Sequence, residues 1–340
     1  MADGFLHPIR KRPNLTLITG ALAHRVLFER ADCGPRACGI EFSTPDGIRR
    51  AEVRRELVLA AGSIGSVQLL QLSGIGAGAL LQSLGIDVVR DTPDVGGHLQ
   101  DHLQIRTVYK VRNCRTVNTL YHNPVTRLGM GLQYLLTRTG PMTMPPSTLG
   151  AFTRSDPEQP TPNIEWHVQP LSLPRFGEPL HRFGAITPSV CNLRPTSRGH
   201  VRIVSPDPKA HPEIRLNYLS TDEDRRVAVD SLRITRRIMA ANALAPFQPE
   251  EMLPGASLAS DEELVQAAGD MGTTIFHPVG TCRMGRDDGA VVDAELRVRG
   301  IDRLRVIDAS VMPRITSGNT NAPTVMIAER GVRYMLGRSA

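Results

Sequence analysis

One histidine and one asparagine stand near the C-terminal end of the chain, in a segment punctuated by Gly, Pro and Asp. His277 lies in FHPVGTCRMG at 276–285, and Asn321 lies in SGNTNAP at 317–323. Removing an alcohol proton at neutral pH requires a base beside the hydroxyl, and imidazole titrates in the right range. The Asn321 amide can donate to the resulting alkoxide. The pair therefore predicts proton abstraction from an alcohol.

Taken singly, each residue also has an ordinary structural explanation. His277 can cap a helix or be satisfied in a core, and Asn321 follows residues that favour turns. Asp308 ends the strand-like run 304–307. The carboxyl ends of parallel strands meet nucleotide ligands, but Asp is also a common helix cap. At this level both explanations stay open for all three residues.

The composition predicts a globular protein with no nucleic-acid partner. The chain has 340 residues, of which 41% are hydrophobic and 22% charged, enough for one large or two moderate domains. The net charge of +6 comes from dispersed arginines, and aromatic residues are only 4%. A nucleic-acid surface would need a denser basic stripe with aromatic side chains.

Localisation and metal content are predicted from what the sequence lacks. It has no apolar run of about 20 residues and no N-terminal secretory signal, so we expect a cytoplasmic protein without a membrane span. Five cysteines, at 33, 38, 114, 191 and 282, are an odd count without a CxxC pair. No disulfide framework is expected, and the scattered histidines predict no metal site.

Periodicity predicts a mixed α/β chain. Strand patterns occur twice within 14–28 and at 37–42, 48–53, 56–62, 105–111, 163–168, 184–193 and 200–204. Helical patterns occur at 63–72, 127–137, 221–241 and 260–271. The apolar run 56–62 is typical of a buried parallel strand, whereas the proline-bounded strands of the middle third indicate an antiparallel sheet.

The strand 163–168 carries a cluster of polar and aromatic residues. Alternation places Glu165 and His167 on one face and Trp166 on the other. Trp166 and Glu165 could form a pocket for a cationic amine. A core aromatic beside a charge at the rim is the more ordinary explanation.

Several spaced motifs together resemble one enzyme family. They are GSIGSVQLLQLSGIG at 62–76, DVGGHLQDHL at 94–103, RGHVRIVSPDP at 198–208, NYLSTDEDRR at 217–226 and the segment 276–329. Their order and spacing are similar to the glucose-methanol-choline (GMC) flavoprotein oxidoreductases, especially the choline and alcohol dehydrogenase branch. His98 stands where that family usually has asparagine.

This resemblance implies roles for individual residues. His277 falls on the catalytic base and Asn321 on the group that contacts the substrate oxygen. Asp308, Ala309 and Pro323 would lie against FAD, and Val26 would give a backbone contact to its adenine end. The implied reaction removes the hydroxyl proton and passes a hydride to flavin N5, on choline or, more generally, a primary alcohol.

The family resemblance also implies a domain plan. Residues 1–105 would form an incomplete Rossmann-like FAD-binding domain, residues 106–272 a substrate domain with an antiparallel sheet and flanking helices, and residues 273–340 a return to the first domain.

The chain lacks the GxGxxG unit with which the family begins. We therefore expect a C-terminal part with open strand edges, weak FAD binding on its own and a possible partner chain carrying that unit. The alternatives are lyase chemistry on cyanohydrins (hydroxynitriles), which the same fold hosts, and an inactive or split fragment that needs a partner chain.

Overall fold

The computed structural model describes residues 2–338 except 33, 146 and 176. The strands are β1 (Leu22–Ala31), β2 (Gly34–Thr44), β3 (Gly47–Glu52), β4 (Leu57–Leu59), β5 (Ile75–Gly76), β6 (Arg90–Asp91), β7 (Leu103–Arg106), β8 (Val108–Lys110), β9 (Leu149–Thr153), β10 (Ile164–Gln169), β11 (Ala185–Asn192), β12 (His200–Arg202), β13 (Glu213–Arg215), β14 (Glu250–Leu253), β15 (Gly272–Thr274) and β16 (Leu304–Val306). The helices are α1 (Gly62–Leu72), α2 (Gly78–Ser83), α3 (Val117–His122), α4 (Pro124–Thr137), α5 (Asp222–Met239), α6 (Asp261–Met271) and α7 (Asn321–Met335). Shorter helical turns are Ala2–Leu6, His7–Ile9, Pro141–Thr143, Asn242–Phe247 and Ala309–Val311. The mixed α/β class is confirmed.

The predicted buried strand forms as β4 and pairs in parallel with β16. Because the two strands are parallel, their carboxyl ends lie at the same edge of the sheet. Helix α1 begins at this edge, shortly after β4. The expectation that both strands have an open edge is wrong for β16. Its outer side is covered by the backbone of 296–298, where the N–H of Val298 donates to the Leu304 carbonyl at 2.9 Å.

A seven-stranded antiparallel sheet forms the middle of the chain, as predicted. Its order is β14–β8–β11–β10–β9, and β7 joins it between β11 and β15. The register sets Glu165 opposite Cys191 and His167 opposite Ser189, which places all four on one face. On the other face Trp166 packs against α5 and donates its indole N–H to Thr235 Oγ1 at 2.8 Å.

Two apolar cores match the two kinds of sheet. One packs α1 against β1, β4, β16 and the segments around residues 279–315, and the other packs β10 and β11 against α5 and α6. Strands β7 and β15 hydrogen-bond to each other at the predicted domain boundaries. The division at 105/106 and 272/273 stays a prediction.

Local start and stop signals were mostly predictive. The Thr221 hydroxyl caps α5, and Ser260 with Glu263 forms the capping box of α6. The prediction of two strands within 14–28 is wrong, since residues 15–20 form no strand. β1 alone finds a partner there, in β2. The hairpin of β2 and β3 is confirmed.

Two further expectations concern membranes and cysteines. Of the helices in the described residues, none combines the length and apolar content that a bilayer span requires. Cys38, Cys114, Cys191 and Cys282 are unpaired thiols, and Cys33 lies outside the described residues.

Candidate active site

A cavity of about 530 Å³ opens between the antiparallel sheet and the loop that carries His277. Strand β10 contributes Glu165 and His167, and the loop before α7 contributes Asn319. The predicted base thus shares one cavity with the polar face of β10. The sequence indicated that face but not what it would meet.

Backbone and side-chain contacts fix the position of His277. Its N–H donates to Asp101 Oδ1 at 2.9 Å, and the Tyr218 hydroxyl donates to Asp101 Oδ2 at 2.5 Å. Gly280 closes the loop with φ +90°, and a Cβ there would lie 2.5 Å from the His98 carbonyl oxygen. The loop therefore needs glycine at this position. The side chain of His277 is buried, with 8% of the residue exposed.

A second histidine sets the tautomer of His277. His102 is fully buried, its Nε2 lies 3.2 Å from the Leu193 carbonyl oxygen, and its Nδ1 lies 3.1 Å from Nδ1 of His277. A carbonyl only accepts, so Nε2 of His102 carries a proton, and Nδ1 of neutral His102 must accept. His277 therefore donates from Nδ1, which leaves its Nε2 unprotonated. An imidazole in this state is ready to take a proton.

Burial keeps both rings neutral. It lowers the pKa of His102 to about 4, with a smaller contribution from the neighbouring His277. Burial also lowers the pKa of His277, although the Asp101 carboxylate opposes this shift. Burial raises the pKa of Asp101 against the hydrogen bonds that it accepts. A neutral base beside a carboxylate can accept a proton and have the new charge compensated.

The predicted partner Asn321 is the first residue of α7, and its side chain is exposed. Of the described residues, those that line the cavity include Asn319 but not Asn321. The structure thus brings His277 together with Asn319, two positions before the predicted residue. Helix α7 begins without a side-chain cap, which leaves the first backbone N–H groups for another acceptor.

Asp308 ties the carboxyl ends of the parallel strands together. Its carboxylate accepts from the backbone N–H of Gly62 at 2.9 Å and from the Ser66 hydroxyl at 2.5 Å. It also accepts from the N–H and hydroxyl of Ser310, at 2.9 and 2.5 Å. Ala309 follows in the short turn that this cap begins. Asp308 is thus both a helix cap and a strand-end residue, the two explanations that its sequence position left open.

Val26 and Pro323 lie elsewhere. Val26 is buried in β1 beside a separate cavity of about 560 Å³, and its N–H donates to Ser73 Oγ at 2.8 Å. Pro323 is the third residue of α7 and is partly buried.

Two outcomes differ from the sequence interpretation. Trp166 faces the α5 core, so a cationic pocket built from Trp166 and Glu165 is wrong, and the core explanation of Trp166 holds. Asp101 and His102 received no role in the sequence analysis. An acid and an imidazole at adjacent positions in the motif 94–103 were the sequence signal that could have indicated a role in the site.

The chain is similar to several known proteins along its whole length. Two family models described as GMC oxidoreductase match residues 1–104 and 195–328. The chain is 40% identical over 343 residues to an oxygen-dependent choline dehydrogenase of Paraburkholderia xenovorans LB400, covering 100% of the chain and 60% of that protein. It is 41% identical to one of Pseudomonas putida F1, covering 99% of the chain and 59% of that protein.

Solved structures show the same fold. A pyridoxine 4-oxidase from Mesorbium loti matches with a TM-score of 0.85 at 31% identity, covering 100% of this chain and 62% of that one. A formate oxidase variant from Aspergillus oryzae RIB40 matches with a TM-score of 0.90 at 27% identity, covering 97% and 62%. The chain spans about 60% of the length of the curated relatives that it matches.

Proposed function

The chain belongs to the GMC oxidoreductase family, and from this we propose that it oxidises the CH–OH group of an alcohol with FAD as cofactor. GMC oxidoreductases are FAD flavoproteins, and the curated relatives act on choline by name. The proposal takes His277 as the base, and it takes a choline-like or other primary alcohol as the substrate.

One observation carries the proposal. The chain of contacts from the Leu193 carbonyl through His102 to His277 leaves Nε2 of His277 with a free lone pair, in a side chain that lines the cavity. A base with this tautomer takes a hydroxyl proton in one step, and the nearby Asp101 carboxylate stabilises the imidazolium that forms. By resemblance the Asn321 amide donates to the alkoxide, and Asn319 is a second amide available in the cavity wall.

The residues at the strand ends fit a flavin in part. The uncapped N-terminus of α7 offers the backbone N–H groups of Asn321 and Ala322 and a positive dipole end to an electron-rich ring edge, and Pro323 follows without an N–H. Asp308 and Ala309 would form the adjoining wall. The N–H of Val26 is already bonded to Ser73, which does not favour that N–H as an adenine contact. When bound, FAD supplies the hydride acceptor, and the protein supplies position and electrostatics.

The cavity favours a substrate with a positive end. Glu165 lines it with a carboxylate that is almost fully buried, and a buried carboxylate attracts a cation strongly. Choline has its hydroxyl two carbons from a quaternary ammonium. His277 would take the hydroxyl proton at one end, and Glu165 would contact the ammonium at the other. We also propose a cytoplasmic location, in keeping with the unpaired thiols.

Anaerobic flavin reduction tests this function. Because we expect this chain to bind FAD weakly on its own, the protein is kept in excess FAD, mixed with choline or with its neutral isostere 3,3-dimethylbutan-1-ol, and the loss of flavin absorbance is followed. We expect choline to reduce the flavin faster, and we expect Glu165→Gln to remove this preference while reduction by the isostere persists. A flavin that neither alcohol bleaches would refute the proposal.

Two alternatives lose support. The lyase hypothesis is not favoured, because the relatives described above are dehydrogenases and oxidases. The comparisons do not support a separate partner chain either.

A further inference from the structure

Three potential metal ligands meet on the inner face of the antiparallel sheet. Glu165 and His167 alternate along β10, and Cys191 lies directly opposite Glu165 on β11. Their ligand atoms all lie within 4.8 Å of one another, and Nε2 of His167 lies 3.3 Å from Oε1 of Glu165. Carboxylate, imidazole and thiolate are the ligand types from which zinc sites in proteins are built.

Two polar atoms of the cluster lack a hydrogen-bond partner. Oε2 of Glu165 is buried without a hydrogen bond, and Nε2 of His167, although 3.3 Å from Oε1 of Glu165, is not aligned to form one. The two side chains are 4% and 14% exposed, and Cys191 is fully buried. Buried polar atoms without partners are rare because each costs free energy. A cation between the three side chains would serve as the missing partner.

We propose that Glu165, His167 and Cys191 form a binding site for a thiophilic divalent cation, with Zn²⁺ as the best match. In tetrahedral zinc sites neighbouring oxygen and nitrogen ligands are about 3.4 Å apart, close to the 3.3 Å between Glu165 and His167. The Cys191 sulfur lies within 4.8 Å of both of these ligand atoms, so a rotation of the Cys191 side chain would bring it to the metal. The cavity leaves room for water as the fourth ligand.

The donor set selects against hard cations. Ca²⁺ and Mg²⁺ take six or more oxygen ligands, whereas this site offers one carboxylate, one imidazole and one thiol. Cys191 gives up its thiol proton to solvent as the metal–sulfur bond forms. Neither Glu165 nor His167 needs to move from the face that it already occupies.

The site lies in the wall of the cavity that also contains His277. A bound cation would neutralise the Glu165 carboxylate and fill space beside the base, so it would compete with any ligand that occupies this cavity. Metal binding at this site is measured without flavin or substrate, so its failure is distinguishable from failure of the proposed oxidation.

Cobalt and zinc titrations test the site. Co²⁺ added to the reduced, metal-free protein should produce a thiolate-to-cobalt charge-transfer band in the near ultraviolet. The band should saturate at one equivalent of Co²⁺, and Zn²⁺ should displace the cobalt. Isothermal titration should give one Zn²⁺ per chain. Cys191→Ser should abolish the band, and His167→Gln should weaken zinc binding at least tenfold.

The control variant is Cys114→Ser, which removes an exposed thiol and should leave the band unchanged. Circular dichroism of every variant identifies any that fail to fold, and His167→Gln gives a second result if Cys191→Ser is lost. A band that survives Cys191→Ser, or zinc affinity unaffected by His167→Gln in a folded protein, would overturn the proposal.

Discussion

The Nδ1 atoms of His277 and His102 face each other at 3.1 Å, so the two rings share one proton between these nitrogens. The Leu193 carbonyl decides which ring donates, since it binds the Nε2 proton of His102. A main-chain oxygen on β11's C-terminal side thereby sets the protonation of a ring in another loop. His102 is a positioning residue in this arrangement and His277 the group that reaches the cavity.

The tautomers can be observed directly. In two-bond ¹H–¹⁵N spectra of histidine-labelled protein near neutral pH, we expect His277 protonated at Nδ1 and His102 protonated at Nε2. A His102→Asn variant, which assigns the signals, should release His277 into a mixture of tautomers. The opposite assignment, with His277 protonated at Nε2, would contradict the proposed base.

His102 should make stability depend on pH. In the folded protein its pKa is about 4, whereas an unfolded histidine titrates near 6.5. Between these values the unfolded state binds more protons, so stability is lost as pH falls, by up to about 3 kcal/mol. His277 acts in the same direction. Asp101 opposes it at the acid end, because its raised pKa favours protonation in the folded state.

Urea unfolding at several pH values between about 7.5 and 4.5 measures this dependence. His102→Asn should lower stability at neutral pH but flatten the profile. An equally steep profile in that variant would assign the effect to other groups.

Replacing the base should affect turnover more than structure. We expect His277→Ala to slow flavin reduction by alcohol at least 100-fold, in line with the loss of a general base, with the flavin spectrum retained. His200→Asn is the matched control, because His200 pairs with Glu213 on β12 and β13. Turnover within a few-fold of the parent would make His277 a structural residue.

Alanine substitution can distinguish the roles of Asn319, which precedes α7, and Asn321, its first residue. If Asn321 holds the alkoxide, Asn321→Ala should lower the limiting rate of flavin reduction roughly 100-fold. Asn319→Ala should chiefly weaken substrate affinity, since Asn319 lines the cavity. A larger loss of rate in Asn319→Ala would move the role of alkoxide partner to that residue.

Asp308 should be a strong stability determinant. Asp308→Ala leaves the donors of Gly62, Ser66 and Ser310 without their acceptor, which we expect to cost about 3 kcal/mol in urea unfolding. Asp302→Ala, which removes an exposed ion pair with Arg36, should cost at most about 1 kcal/mol. Similar losses in both variants would mean that the buried network adds little.

The sequence by itself determined the parts of this protein that depend on neighbouring residues. Capping residues such as Thr221 and Ser260 and the apolar run of β4 act locally, so the mixed class, the antiparallel sheet and most element positions could be predicted. The faces of β10 followed from simple alternation, with Trp166 turned away from Glu165 and His167.

Only the tertiary structure decided which distant residues meet. His102 and His277 meet from different loops, and Cys191 meets Glu165 because of the register between β10 and β11. Neither contact leaves a pattern among neighbouring residues in the sequence. The same holds for Asp101, whose two carboxylate oxygens join the His277 loop to Tyr218. Tautomer, burial and cavity shape arise from such contacts, because they depend on packing between segments that are far apart in the chain.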